Sequence, residues 1–180
     1  MIENFNQVIG ALTIFAQIAS ISGLVYLFLP NIKHNIRLDN FIRNWGVPLT
    51  FIIALTATLG SLFYSEIAGY PPCELCWYQR IFMYPQVLLL GLASWRKENN
   101  IIRYSLILTV IGFIIAAYHS YIAYAGSSSA ACSAVAFTGI SCLRRYVLTF
   151  NYITIPIMAA SAFALMIVIL LNVNKIRKRN

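Results

Sequence analysis

"PPCELCWYQR", residues 71–80, sets two cysteines two residues apart between a proline pair and an aromatic run that carries an arginine. Zinc knuckles, structural clips and redox pairs all use that spacing, so the surroundings must decide among them. Those surroundings are apolar. Of 180 residues, 60% are hydrophobic and 10% charged, against roughly 45–50% and about 25% in soluble domains. The composition predicts a membrane protein and makes the stretch the mouth of a membrane helix.

A hydrocarbon core about 30 Å thick needs ~20 mostly apolar helical residues to cross it. Five runs of that kind are present, at residues 8–29, 45–65, 77–95, 104–125 and 152–172. The third, which the quoted stretch opens, is the weakest because Arg80 lies in its first turn. The first is expected to be a retained helix and not a cleaved signal: the preceding MIENFNQ holds no Lys or Arg, and no A-x-A cleavage site is evident. No repeat or low-complexity tract interrupts the chain, and the remaining connections are short, as between antiparallel neighbours in a bundle. Small residues such as Gly60, Ser61, Gly91 and Gly112 are spread through the runs, where close helix packing in lipid is their expected use.

The net charge of +8 raises the possibility of a nucleic-acid partner, which the placement of the charges rejects. Lys33, Arg37 and Arg43 follow the first run, Arg96, Lys97 and Arg103 the third, and Lys175, Arg177, Lys178 and Arg179 the last. Under the positive-inside rule these mark one face as cytoplasmic. Arg80, Arg144 and Arg145 fall on the other face. The basic balance therefore predicts orientation, with no nucleic acid bound.

All four cysteines then lie on the non-cytoplasmic face: Cys73 and Cys76 in a short connection, Cys132 and Cys142 in a longer one from about residue 126 to 151. That compartment is oxidising, so disulfides form and persist there. The longer connection opens with GSSSAACSA, small residues suited to a mobile segment that lets its cysteines visit a partner. A structural zinc site wants four ligands in fixed order. The second pair here is C-x9-C, and the histidines are His34, on the cytoplasmic side, and His119, inside a helix. A purely structural clip across two residues closes too small a loop to constrain much chain entropy. Redox chemistry is the commoner reason for C-x-x-C.

Cys76 immediately precedes the expected third helix, whose unpaired N–H groups and dipole favour a thiolate, so Cys76 should be the more acidic sulfur. Arg80, four residues on, shares its helical face. A cation in the first turn opposes the dipole and is costly at membrane depth, which favours a functional arginine over one that snorkels to lipid phosphate. Trp77, Tyr78 and Tyr84 suit an interfacial aromatic belt better than a pocket lining.

At this point "GYPPCELCWYQRIFMYP" (69–85), followed by "YITIPIMAASAF" (152–163), closely resembles the DsbB/BdbC family of disulfide bond formation proteins, over roughly residues 46–173. The combination is specific: C-x-x-C with an arginine four residues later at the start of a membrane helix, and a second cysteine pair two helices on. The resemblance implies an antiparallel four-helix transmembrane bundle over residues 45–180. Residues 1–44 then supply one additional N-terminal transmembrane helix and its connection. It further implies a thiol:quinone oxidoreductase of the bacterial inner membrane that reoxidises a thioredoxin-like thiol oxidase of the DsbA or BdbD type and passes electrons to ubiquinone or menaquinone.

Carried over by position, Cys132 resembles the cysteine that forms a mixed disulfide with the partner, and Cys142 its companion, which attacks the inner pair. Cys73 resembles the sulfur that exchanges with the loop and Cys76 the one that engages quinone. Arg80 matches the quinone-binding arginine, and His119 matches a histidine close to the quinone pocket, with a packing role equally open. The related vitamin K epoxide reductases place C-x-x-C on the last bundle helix, an order this chain does not follow. The competing expectations are a non-catalytic membrane protein with structural disulfides or thiol-bound metal, and a transporter-like bundle. The latter would need more ionisable residues within its spans.

Overall fold

The computed structural model describes residues 2–28, 36–96, 100–125, 142 and 145–179. They form five long helices: α1 (Ile2–Phe28), α2 (Ile36–Leu62), α3 (Glu74–Arg96), α4 (Asn100–Ala125) and α5 (Ile155–Arg179). Among the described residues there is no strand, only an isolated bridge between Thr149 and Ile153 beside a turn in which Phe150 and Asn151 take positive φ. The expected all-α membrane fold is the one observed. Residues 36–44, expected as a connection, are instead the first turns of α2.

Four of the helices, α1, α2 with its extension, α4 and α5, are long and apolar enough to cross a membrane. The third run falls below that mark because Gln79, Arg80 and Gln86 interrupt it. It is helical throughout, and its polar groups are held between neighbours. Gln86 is fully buried: its amide donates to Ser105 O at 2.9 Å and to Thr109 Oγ1 at 2.9 Å, and accepts from the Ser105 hydroxyl. In hydrocarbon an unpaired amide has no water to fall back on, so this three-residue network is what makes α3 tolerable inside a membrane bundle.

Hydrogen bonds at both ends establish that α1 and α2 run in opposite directions. Tyr26 donates to Asp39 Oδ1 at 2.6 Å near one end, and Tyr64 donates to Asn6 Oδ1 at 2.8 Å near the other. Helix α5 is the hub: it packs on α1, α2 and α4, while α3 fills the space between α2 and α4. Phe163, Met166, Leu170 and Val173 of α5 are fully buried with Leu90 of α3 and Ala116 of α4. Small residues bring the backbones together, as packing in lipid requires. A Cβ on Gly112 would lie 2.5 Å from the Phe163 ring. Large side chains such as Phe28, Leu88 and Ile114 face outward, a distribution that bilayer and not water solvates. The molecule is a multi-pass membrane protein.

Candidate functional site

The site is built where α2 hands over to α3. The end of α2 widens into a π-helical turn, Phe63–Ile67, closed by Ala68 N–H donating to Phe63 O at 3.0 Å. The chain then reverses through Gly69, whose φ of 69° suits a residue without a side chain. The preceding span thus ends before the Pro71–Pro72 pair, and the prolines only carry the chain on to Cys73. Trp77 N–H donates to Cys73 O at 3.1 Å, which makes Cys73 the N-cap of α3. Cys76 is therefore not ahead of the helix, as expected, but in its first turn, where unpaired amides still gather.

The two sulfurs stand 3.2 Å apart as free thiols, with Cys73 donating toward Cys76. That hydrogen bond, together with burial, pushes the Cys73 thiol up to about 12. The proton of the pair stays on Cys73, and Cys76 is the sulfur left to accept.

His119, in the penultimate turn of α4, is 3% exposed. Its Nε2 lies 3.8 Å from Cys73 Sγ and 3.4 Å from Cys142 O, and its Nδ1 lies 2.9 Å from Gln79 Nε2. The imidazole therefore touches the inner pair and the segment of the second pair together. Gln79, buried and one turn past the cysteines, fixes the orientation of the ring. Sequence reading missed Gln79, although its spacing of three from Cys76 puts it on the sulfur-bearing side of the helix.

Cys142 is buried and packs with Cys73, Leu75 and Ile122. The ligand atoms of Cys73, His119 and Cys142 all lie within 4.8 Å of one another, so two thiols from distant parts of the chain meet at one imidazole. Arg145 ties this segment down by donating from Nε and Nη2 to Ala123 O at 3.1 and 2.7 Å, covering that carbonyl in the last turn of α4. It also lies over the Tyr124 ring at 4.8 Å. Tyr146 stacks on Tyr70, bracing the same segment against the residues before Cys73. Neither Arg145 nor Tyr146 was singled out in the sequence for this task. Cys132 and the GSSSAACSA segment lie outside the described residues.

Arg80 extends from α3 to α2. Its Nε donates to Ser61 Oγ at 3.0 Å and its Nη2 to Ser61 O at 3.0 Å, and its guanidinium lies over the Trp77 ring at 5.2 Å. Ser61 is thus an anchor for the arginine as well as a small packing residue.

These groups open onto a cavity of about 730 Å³, within the roughly 300–1,000 Å³ of small-molecule sites. Cys76, Arg80, Tyr84, His119 and Thr154 line it, and most of its remaining wall is apolar. Among the described residues the buried hydroxyls of Tyr84 and Thr154 have no hydrogen-bond partner, and Thr154 is 2% exposed. The arrangement can hold an elongated apolar molecule with acceptor oxygens near a thiol pair.

A family described as Disulfide bond formation protein DsbB matches residues 43–173. The chain is 40% identical over 139 residues, 77% of its length and 96% of the relative's, to "Probable disulfide formation protein C 2" of Bacillus anthracis. It is 40% identical over 121 residues to "Disulfide bond formation protein C" of Bacillus subtilis, covering 66% of this chain and 85% of that one. A third relative, "Probable disulfide formation protein C 1" of Bacillus cereus, is 46% identical over 122 residues, 66% of this chain and 80% of its own. No solved structure matches.

Proposed function

Because the chain belongs to the DsbB family of membrane disulfide bond formation proteins, we propose that it is a thiol:quinone oxidoreductase whose two cysteine pairs relay electrons from an extracytoplasmic thiol oxidase to a membrane quinone. The observation that carries this reading is the convergence of Cys142 and Cys73 on His119, with Cys76 Sγ 3.2 Å from Cys73 Sγ. Sulfur-to-sulfur exchange needs that proximity.

A thiolate of the reduced thioredoxin-like partner attacks the Cys132–Cys142 disulfide, and the partner's second thiol displaces the mixed disulfide. The partner leaves oxidised, with Cys132 and Cys142 as thiols. Cys142 then attacks Cys73 of the oxidised inner pair: a Cys73–Cys142 bond forms, the Cys73–Cys76 bond breaks, and Cys76 leaves as thiolate at the positive end of α3. Cys132 attacks Cys142, restoring the loop disulfide and returning Cys73 as a thiol. His119, oriented by Gln79, stabilises charge at Cys73 during these transfers, at the head of the cavity where the resemblance sets a quinone.

The cavity fits that acceptor. Its apolar wall suits a ring and tail, and Arg80, Tyr84 and Thr154 offer donors to ring oxygens. When bound, a quinone supplies a two-electron, two-proton acceptor, and its reduction to quinol returns Cys73 and Cys76 to the disulfide. The charge distribution of the sequence supports the cysteine end as extracytoplasmic and the Lys/Arg-rich end as cytoplasmic. Residues 45–180 form the functional bundle in this reading.

The test is purified protein with a reduced thioredoxin-like substrate and quinone, followed by quinone absorbance. Wild type turns over and Cys76→Ser does not; equal rates in the two would sink the enzyme reading. A second reading rests on the same geometry, since Cys73, His119 and Cys142 are a soft-cation ligand set. It requires stoichiometric zinc or copper in protein purified under reducing conditions and no quinone reduction.

A further inference from the structure

Helix α1 lies outside the part of the chain that the DsbB family matches, which begins at residue 43, and nothing in the proposed relay uses it. Along its length it is bonded to α5: Gln17 donates to Ser161 Oγ at 3.0 Å, Asn172 donates to Gly23 O at 3.2 Å and Lys175 donates to Leu27 O at 2.7 Å. Toward α2 and its π-helical extension it is joined, among the described residues, near its two ends. Phe5 stacks on Phe63 at 3.8 Å beside the Tyr64–Asn6 bond, and Tyr26 reaches Asp39.

Between those two clasps runs the cavity. From α1 it is lined by Ile9, Leu12, Phe15, Ala16 and Ala19, and from α2 by Leu49, Ile52, Ile53, Thr56 and Gly60. The α1 wall presents no polar group to it, because the Thr13 hydroxyl is turned back onto Ile9 O at 2.8 Å. On α2, a Cβ built on Gly60 would meet nothing within 4 Å. The lining from Ile9 to Gly23 spans on the order of 20 Å of helix at 1.5 Å per residue. Polar character is concentrated at one end, where Cys76, Arg80, His119 and Thr154 stand and where the Thr154 hydroxyl, almost wholly buried, lacks a partner among the described residues; at the other end the Asn172 amide is taken up by Gly23 O and Val168 O.

We propose that α1 and α2 form a slot that holds the prenyl tail of the quinone whose ring sits at Cys76 and Arg80, so that α1 sets the preference for tailed over tail-less acceptors. This rests on the quinone reading above. The polarity gradient is that of an amphiphile with a polar head and a long apolar tail. Continuity of the slot with the thiol site selects the reaction's own acceptor over a membrane-lipid acyl chain.

The experiment measures KM for two quinones with the same ring, one carrying a prenyl tail and one without it. The ring is benzoquinone or naphthoquinone, whichever the wild type reduces. The variants are Ala16→Trp and Ala19→Phe, which fill the slot, and Ile18→Trp, on the exposed face of α1 outside the cavity. Filling variants should raise the ratio of tailed to tail-less KM by about tenfold, the effect of displacing roughly two methylenes from the wall, and Ile18→Trp should leave the ratio at its wild-type value. Equal loss on both quinones in both filling variants, or no change on either, overturns the slot, as it would if a lipid acyl chain occupied it. A wild type that reduces neither ring overturns the oxidoreductase reading and the slot with it, so the two failures are told apart.

Discussion

Gly112 and Gly60 are the same residue in neighbouring parts of one bundle, put to opposite uses. At Gly112 a Cβ would strike the Phe163 ring, and α4 and α5 close there without a gap. At Gly60 a Cβ would meet nothing within 4 Å, because the helix face looks into the cavity between α1 and α2. The seams on either side of α5 therefore differ in what limits them. The α4–α5 seam is constrained by volume, and the side bearing the slot and the thiols is constrained by chemistry. Changes of size should cost stability on the first side, and on the second they should leave stability nearly unchanged and be felt in the reaction.

The largest expected effect is at Cys73. With its thiol raised from 9.0 to about 12, it carries about a thousandfold less thiolate near neutral pH than an ordinary cysteine. Because the shift is upward, alkylation of the reduced protein at Cys73 climbs about tenfold per pH unit toward 12 instead of levelling near 9. Mass-spectrometric mapping of iodoacetamide adducts across a pH series checks this, and levelling near 9 breaks it. Next is Arg80→Leu, expected to lower quinone reduction roughly a hundredfold, the scale for losing one preorganised donor. Its melting temperature in detergent should move less than that of Gly112→Leu. The latter forces side chain into Phe163 and should cost about 1–3 kcal/mol, whereas Gly60→Leu should stay within roughly 0.5 kcal/mol; equal shifts for the two glycines would erase the contrast. Between the two glycines falls Gln86→Leu, which strips Ser105 and Thr109 of an amide partner and should cost about 1 kcal/mol by the same melting assay.

Much of this architecture was legible in advance, because crossing a bilayer imposes length and apolarity that leave a direct mark on sequence. The five helices follow from that. The meeting of Cys73 and Cys76 follows from their spacing, and the pairing of Arg80 with the sulfur-bearing face follows from helical period. What spacing cannot carry is contact across long separations. That Ser61 anchors Arg80, that Arg145 covers the end of α4, and that Gln79 orients His119 are meetings between elements. The types involved, serine and glutamine above all, have many other uses in membrane helices. Gly60 and Gly112 show the same limit, since absence of a side chain signals close packing and open space alike. The start of α3 was misjudged by one turn because the N-cap is Cys73 itself, not one of the usual Ser, Thr, Asp or Asn signals.

The bonds from α1 to Ser161, Asn172 and Lys175 also have a consequence in time. The ribosome makes α1 first and its packing partner α5 last, with α2, α3 and α4 in between. At roughly 5–20 residues per second, α1 waits on the order of ten seconds in the bilayer before the surface it docks on exists. Until then that face of α1 looks onto lipid, and the last of its contacts to form are the bonds of Gln17, Gly23 and Leu27 to α5, well after the clasps to Phe63 and Asp39 can close.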